Sequence, residues 1–234
     1  MPSFTLASFN ICSAHFREGV YTEDNLTGIA HCIHQSGADV VCLQEVDRGA
    51  ARSNQVDMPT RLADMIPLKH HYFIKIRDFQ GGEYGTAILS RYPIVESDTI
   101  HYPVTVATQG TSCGYATLDV EGTLVNVYNT HLSVESEEAN TDTLCCLRDV
   151  LARLRDRHAT FVCCGDFNTS PQKVARFIPW ATYAHQGLTT YADRSIDHIL
   201  GYGHIALQNT RTMDTQVQRM TDHHMVLTDV TVYE

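Results

Sequence analysis

Lysine is scarce in this 234-residue chain: Lys69, Lys75 and Lys173 are the only three, against a formal net charge of −10. A protein that grips long nucleic acid presents a basic stripe that displaces condensed counterions, and no run of this sequence supplies one. That argues against a nucleic-acid-coating role, although charges distant in sequence can still cluster in space. Any apolar stretch near the roughly 20 residues of a membrane helix is also missing, so no transmembrane segment is expected. Met1-Pro2-Ser3-Phe4-Thr5 lacks the basic and apolar regions of a secretory signal, and the expected compartment is the cytoplasm. No C-x-x-C pair and no zinc-finger spacing occurs among the eight cysteines. Cys42, Cys163 and Cys164 lie in apolar strand-like runs and Cys145-Cys146 in a helix-like segment, so free thiols are expected rather than a disulfide framework. Repeats, low-complexity segments and linkers are absent as well. A chain of this length can bury a sizeable core without splitting, and one domain over residues 1–234 is expected.

Short apolar or alternating runs recur at residues 4–11, 40–44, 72–75, 86–90, 114–120, 123–130, 161–165, 198–200 and 225–232, and read as strands. Helix-period segments lie between several of them, at 25–35, 60–66 and 137–157. The last carries Leu144, Leu147, Val150, Leu151 and Leu154 at helical spacing behind the candidate cap Ser136. Glu121-Gly122 reads as a two-residue hairpin turn. Strands and helices mixed in this order predict an α/β sandwich.

The most informative stretch is Cys163-Cys164-Gly165-Asp166-Phe167-Asn168. An apolar strand entering a glycine turn lets Asp166 and Asn168 project together from the strand's carboxyl end. There a carboxylate can orient a water while a neutral amide donates to an anionic oxygen, the division of labour needed to attack a phosphate ester. Asp and Asn are also common turn formers, and the four-residue motif alone does not separate the two readings.

Its companions do. Ser8-Phe9-Asn10 and Leu43-Gln44-Glu45-Val46 each close a strand. Asn129-Thr130-His131-Leu132 closes another, and Ser195-Ile196-Asp197-His198 and Thr221-Asp222-His223-His224 follow late in the chain. This ordered set, spanning Phe4 to Val232, resembles the endonuclease/exonuclease/phosphatase superfamily, which includes DNase I-like nucleases, neutral sphingomyelinases, inositol polyphosphate 5-phosphatases and deadenylases. The resemblance implies a four-layer sandwich: two packed mixed β-sheets flanked by helices.

It also implies roles. Glu45 would be the main carboxylate on Mg2+ or Mn2+, hard cations that prefer oxygen ligands. Asn10 would support the metal or its water shell, and Asp222 would touch it or a second cation. Asp166 would align the attacking water and Asn168 hold a nonbridging phosphate oxygen. His131 would stabilise charge developing on the phosphoryl group. Asp197 would fix the tautomer of His223, which acts as base or as transition-state stabiliser. The family's Ser-Asp-His-x-Pro-Val pattern reads here Thr221-Asp222-His223-His224-Met225-Val226: the hydroxyl is kept and the stiffness of proline is lost. Residues 45–57 and the run Gly81-Gly82-Glu83-Tyr84-Gly85 through Ile94 look like the superfamily's bacterial hydrolases, and the glycines are expected to shape a loop near the site. Arg48 and Arg52 either grip a substrate phosphate bidentately or salt-bridge Asp47 and Asp57. His31 and His34, three apart on a helix-like segment, lack a third ligand for a metal site, and His70 and His71, ahead of a strand, are expected near the surface.

The expected activity is divalent-metal-dependent hydrolysis of a phosphate ester, with a small phosphodiester or phospholipid headgroup favoured by the acidic charge. A nuclease or a nucleotide or inositol phosphomonoesterase is the alternative. A catalytically inactive binding module would have lost one or more acid/base positions, and none is lost here.

Overall fold

The computed structural model describes residues 1–16, 19–109, 111–215 and 220–233. Along the chain run β1 (Ser3–Asn10), α1 (Glu23–Ser36), β2 (Val40–Arg48), α2 (Met58–Met65), β3 (His70–Phe79), β4 (Gly82–Ser90), β5 (Ile94–His101) and β6 (Ser112–Val120). Then come β7 (Thr123–His131), α3 (Glu137–Asp156), β8 (Phe161–Asp166), α4 (Pro171–Phe177), β9 (Thr182–Tyr183), β10 (Asp197–Tyr202), β11 (Ile205–Met213) and β12 (Met225–Val232).

The strands form two six-stranded mixed sheets, ordered β11-β12-β1-β2-β4-β3 and β5-β6-β7-β8-β10-β9. Each has a parallel pair near its centre, β1 with β2 and β7 with β8, inside otherwise antiparallel ladders. The central strands are apolar on both faces because both faces are covered. In β2, Val40 and Cys42 point into the layer between the sheets while Val41 and Leu43 face α1 and α2. In β8, Val162 and Cys164 point between the sheets while Phe161 and Cys163 pack on the side of α3 and α4. The period-2 alternation of each strand thus feeds two cores at once, giving helix, sheet, sheet and helix layers.

The expected helices are present with ends shifted by one or two residues, and Ser136 does cap α3 by accepting from Ala139 N at 3.1 Å. Glu121-Gly122 turns β6 into β7 with φ of 54° and 90°, the positive values a two-residue turn of this hand requires. The eight cysteines are free thiols. Among the described residues no helix is long and apolar enough to cross a membrane. The glycine run needs a correction. Gly81 lies in the β3–β4 turn, and Gly82 and Gly85 are in β4, where an added Cβ would fall 2.2 Å from Gly49 C and 2.1 Å from Ile74 O. They permit close strand contacts rather than shaping a loop at the site. His70 and His71 are exposed, as expected, and so are His31 and His34.

Candidate active site

The two central parallel pairs end side by side, so the residues at their carboxyl ends converge. Asn10 ends β1, His131 ends β7, Asp166 ends β8 and Asp197 starts the antiparallel β10 directly opposite Asp166. Gly165 makes the last step possible. Its φ is 154°, and a Cβ there would lie 2.0 Å from Thr130 O. The ladder between β7 and β8 can therefore run to His131 and Asp166 only with glycine at this position.

Glu45 is aimed by a different device. The β2–β4 register slips between Leu43 and Val46, and Glu45 takes a left-handed φ of 55°. A bulge of this kind re-aims a side chain at a local backbone cost. Asn168 (φ 51°) and the turn Cys12–Ala14 (φ 47°, 48° and 57°) share the left-handed region, so strained backbone gathers around one cleft. Beneath it a buried clamp joins the sheets: Asn129 donates to Leu43 O and Ala87 O at 2.9 Å each and accepts from Gln44 Nε2 at 2.8 Å.

The polar groups form a continuous network. Fully buried Asn10 spends one side-chain N–H on Glu45 Oε1 and the other on Asp166 Oδ2, both at 3.1 Å, while its Oδ1 accepts from Cys12 N. Asp166 Oδ2 lies 3.6 Å from His131 Nε2 and 3.7 Å from His223 Nε2. Asp166 Oδ1 accepts from Asn168 N at 2.9 Å. The Asn168 amide donates to Leu132 O at 3.0 Å and stands 3.1 Å from His131 Nε2. His223 Nδ1 is 2.9 Å from Asp197 Oδ2, and Asp222 Oδ1 is 3.9 Å from His223 Nε2. Ligand atoms of Asp166, Asp197 and His223 all lie within 4.8 Å of one another.

Electrostatics follow from crowding acids out of water. Burial, reinforced by the Asp166 charge and opposed by His223, raises the Asp197 carboxyl to about 6. Burial alone would depress His223, but its bond to Asp197 and the charges of Asp197, Asp166 and Asp222 outweigh it and lift the ring to about 9. Cys12 Sγ donates to Asp222 Oδ1 at 2.8 Å, and burial, with the nearby Glu45 charge, pushes its thiol well up.

Residues 7–223 match the Endonuclease/Exonuclease/phosphatase family. The chain belongs to that family. Membership makes it an enzyme of the phosphoesterase class. No curated protein matches it in sequence. Among solved structures it is similar to the endonuclease/exonuclease/phosphatase from Bacteroides vulgatus, with a TM-score of 0.77 at 16% identity and 100% of each chain covered. It is similar to the mannosyl-6-phosphatase of Bacteroides thetaiotaomicron, with a TM-score of 0.76 at 16% identity over 97% of this chain and 99% of that one. The human Nocturnin catalytic domain with bound sulfate anion gives a TM-score of 0.77 at 18% identity over 99% and 95%. These likenesses establish the DNase I-like sandwich.

Every residue to which the family resemblance assigned a catalytic or metal role lies in this network. Glu45, His131, Asp166, Asn168, Asp222 and His223 line a cleft of about 320 Å³, with Asn10 and Asp197 buried behind them. The arginines do not join it. Arg48 Nε donates to Glu83 Oε2 at 2.6 Å, and Arg52 bonds both Asp47 oxygens and Ser13 Oγ. Asp57 instead caps α2 through Thr60 N. Cys12, Arg77 and Arg194 line the cleft without having been foreseen. For Arg77 there was a signal, its place two residues from Lys75 in an alternating run. For Cys12, on a left-handed turn, there was none.

Proposed function

We propose that this cleft hydrolyses a phosphate ester with the help of a divalent cation, and that residues 1–234 form one catalytic domain for the purpose. The reading is carried by one observation: Asp166 Oδ2 is approached at once by Asn10, His131 and His223, with Glu45 on the other side of Asn10. The donor set fits a hard cation. Glu45, Asp166, Asp197 and Asp222 crowd one small volume, and the two arginines that follow Glu45 in sequence, Arg48 and Arg52, are committed to Glu83 and Asp47. Oxygen-rich, acid-dense sites of this sort suit magnesium or manganese rather than soft metals. Glu45, oriented by Asn10, and Asp222 would hold the ion, which when bound supplies Lewis-acid polarisation of the phosphate.

The chain's own residues do the rest. Asp166 aligns a water for in-line attack, its carboxylate fixed at one oxygen by Asn168 N–H and at the other by Asn10. Asn168 has one amide N–H tied to Leu132 O and its nitrogen stands beside His131 Nε2, so a phosphoryl oxygen entering between them can accept from the free amide N–H. Asp197 holds His223 by Nδ1 and leaves Nε2 facing the cleft, where it stabilises charge on the phosphoryl group or accepts the water's proton. Arg48 and Arg52 serve as supports; Arg52 braces the Ser13 turn beside Cys12.

A small phosphodiester or a phospholipid headgroup is the preferred substrate, since a cleft of this volume takes a compact group and the chain lacks a basic stripe. The test is hydrolysis of bis(p-nitrophenyl) phosphate and p-nitrophenyl phosphate side by side, with magnesium, manganese or EDTA and with His223→Ala as the blank. EDTA-sensitive cleavage of the diester, lost in the variant, is expected. Cleavage of the monoester alone would move the assignment to a phosphomonoesterase. No turnover of either ester, with or without metal, would count against the reading.

A further inference from the structure

Among the described residues nine lysine and arginine side chains are held in ion pairs, Arg48 and Arg52 among them. Arg77 is different. It lines the cleft, its Nε is buried without a hydrogen-bond partner, and no ion pair among the described residues includes it. Its position is built. The β3–β4 register slips between Lys75 and Arg77, and this turns Arg77 opposite Tyr84. The guanidinium then stacks 5.0 Å from the Phe79 ring centre and 5.2 Å from that of Tyr84. Arg52 lies against the same two rings but is neutralised by Asp47. Glu135, on the facing loop, accepts from Thr108 N and Gln109 N; these bonds, with the Arg77 charge acting from a distance, hold its carboxyl below the usual range, and it makes no hydrogen bond to Arg77. A half-buried, stacked guanidinium with spare donors is preorganised for a phosphate, which its planar fork matches in geometry.

Its place in the sheet separates it from the reacting centre. β3 is the edge strand, two positions from β2, which carries Glu45. Two strand spacings are roughly 10 Å, and a long side chain leaning inward brings the guanidinium several ångströms closer. Arg77, His131 and Asn168 line the same cleft of about 320 Å³, so an anion at Arg77 and one held between His131 and Asn168 would share that small volume. Arg194, stacked 5.0 Å from Tyr191, is solvent-exposed and lacks this half-buried setting.

We propose that Arg77 forms a second anion subsite, selecting substrates that carry a further phosphate group a few bonds from the scissile one. The proposal rests on the phosphoesterase reading of the cleft. It assigns the substrate class as a bisphosphorylated small molecule, or a diester with a neighbouring phosphate.

Non-hydrolysable probes test it by binding rather than turnover. Propylphosphonate and the α,ω-alkane bisphosphonates with three to five carbons are titrated into the manganese-loaded wild-type protein and into Arg77→Ala and Arg77→Lys. In the wild type at least one bisphosphonate is expected to bind about tenfold more tightly than propylphosphonate, the order of one charge-assisted anchor. Arg77→Ala should collapse that ratio toward one, losing far more for the bisphosphonate than for the monophosphonate, and Arg77→Lys should retain part of it. Arg77→Lys also serves should the alanine variant fold poorly, because it keeps the charge and the aliphatic stem over the rings. A preference unchanged by Arg77→Ala, or none in the wild type, would overturn the subsite while leaving the phosphoesterase reading intact. Failure of any protein to bind even propylphosphonate would count against both.

Discussion

Replacing Asn129 with alanine should loosen the floor of the cleft without removing any group that faces it. Asn129 is fully buried in β7 and satisfies two carbonyls of the opposite sheet, Leu43 O and Ala87 O, while accepting from Gln44. Those carbonyls flank the slip in register that aims Glu45. Gln44 Nε2 keeps other acceptors, Ser8 Oγ and Cys42 O, so the truncation strands chiefly the two carbonyls. An unsatisfied buried polar group costs about 1–3 kcal/mol, and the lost side-chain volume adds a smaller amount unless a water enters it. The expected loss is about 3–5 kcal/mol, a large part of the stability of an ordinary domain. Urea denaturation at 25 °C in EDTA, with an unchanged m value, measures it. Asn126→Ala is the comparison, because that half-buried amide bonds only Thr117 Oγ1 and Thr160 O and should cost about 1 kcal/mol. Manganese binding should weaken in Asn129→Ala and not in Asn126→Ala. A loss below about 1 kcal/mol, or equal losses in the two variants, would refute the idea that this clamp supports the Glu45 bulge.

Three further outcomes follow from the same geometry. Glu45→Gly relieves a left-handed φ of 55° but removes the acceptor of one Asn10 N–H, so the stability of the metal-free protein should stay within about 1 kcal/mol of wild type while manganese binding is lost; retained manganese binding would contradict this. Gly165→Ala should destabilise by about 3 kcal/mol or more, because its Cβ would fall 2.0 Å from Thr130 O, and a melting curve like the wild type's would show that the ladder tolerates a side chain there. Burial lowers His198 to about 4, so between 6.5 and 4 the unfolded chain binds the proton that the folded chain refuses, and stability falls as pH drops through that window. At pH 5 the loss relative to pH 7 is about 2 kcal/mol. Asp197, raised to about 6, acts in the opposite sense over part of the window, so the quantity to measure is the difference between wild type and His198→Gln. Parallel stability–pH curves for the two would remove His198 from the account.

Much of the candidate site was legible because Asn10, His131, Asp166 and Asp197 end or begin central strands. A polar residue that terminates an apolar run stands out, as Asn10, Glu45, His131 and Asp166 do, and a sandwich whose central strands share their carboxyl ends brings them together. The edges were harder to read. β5 and β11 are half-exposed on their outer faces, which blurs the period-2 pattern, and α4 is only seven residues long. For Arg48 and Arg52 the sequence left phosphate binding and ion pairing open; the structure favours pairing, with Asp47 for Arg52 and with Glu83 rather than Asp57 for Arg48. They follow Glu45 closely in sequence, but β2 continues through the bulge to Arg48, which pairs with Glu83 of β4, while Arg52, in the turn after β2, folds back onto Asp47 of β2. Arg77 takes its place at the cleft from a cross-strand partner and a register slip, and neither can be read from one strand alone.

The most direct test of the central claim is made on Asp166→Asn beside the wild type. In each manganese-saturated sample, bound metal is counted by electron paramagnetic resonance and bis(p-nitrophenyl) phosphate turnover is followed at the same time. The account predicts that the variant still binds manganese through Glu45 and Asp222, with turnover lower by about 10²–10⁴-fold, as befits loss of the group that aligns the water. Turnover within a few-fold of wild type in a metal-loaded variant would contradict it.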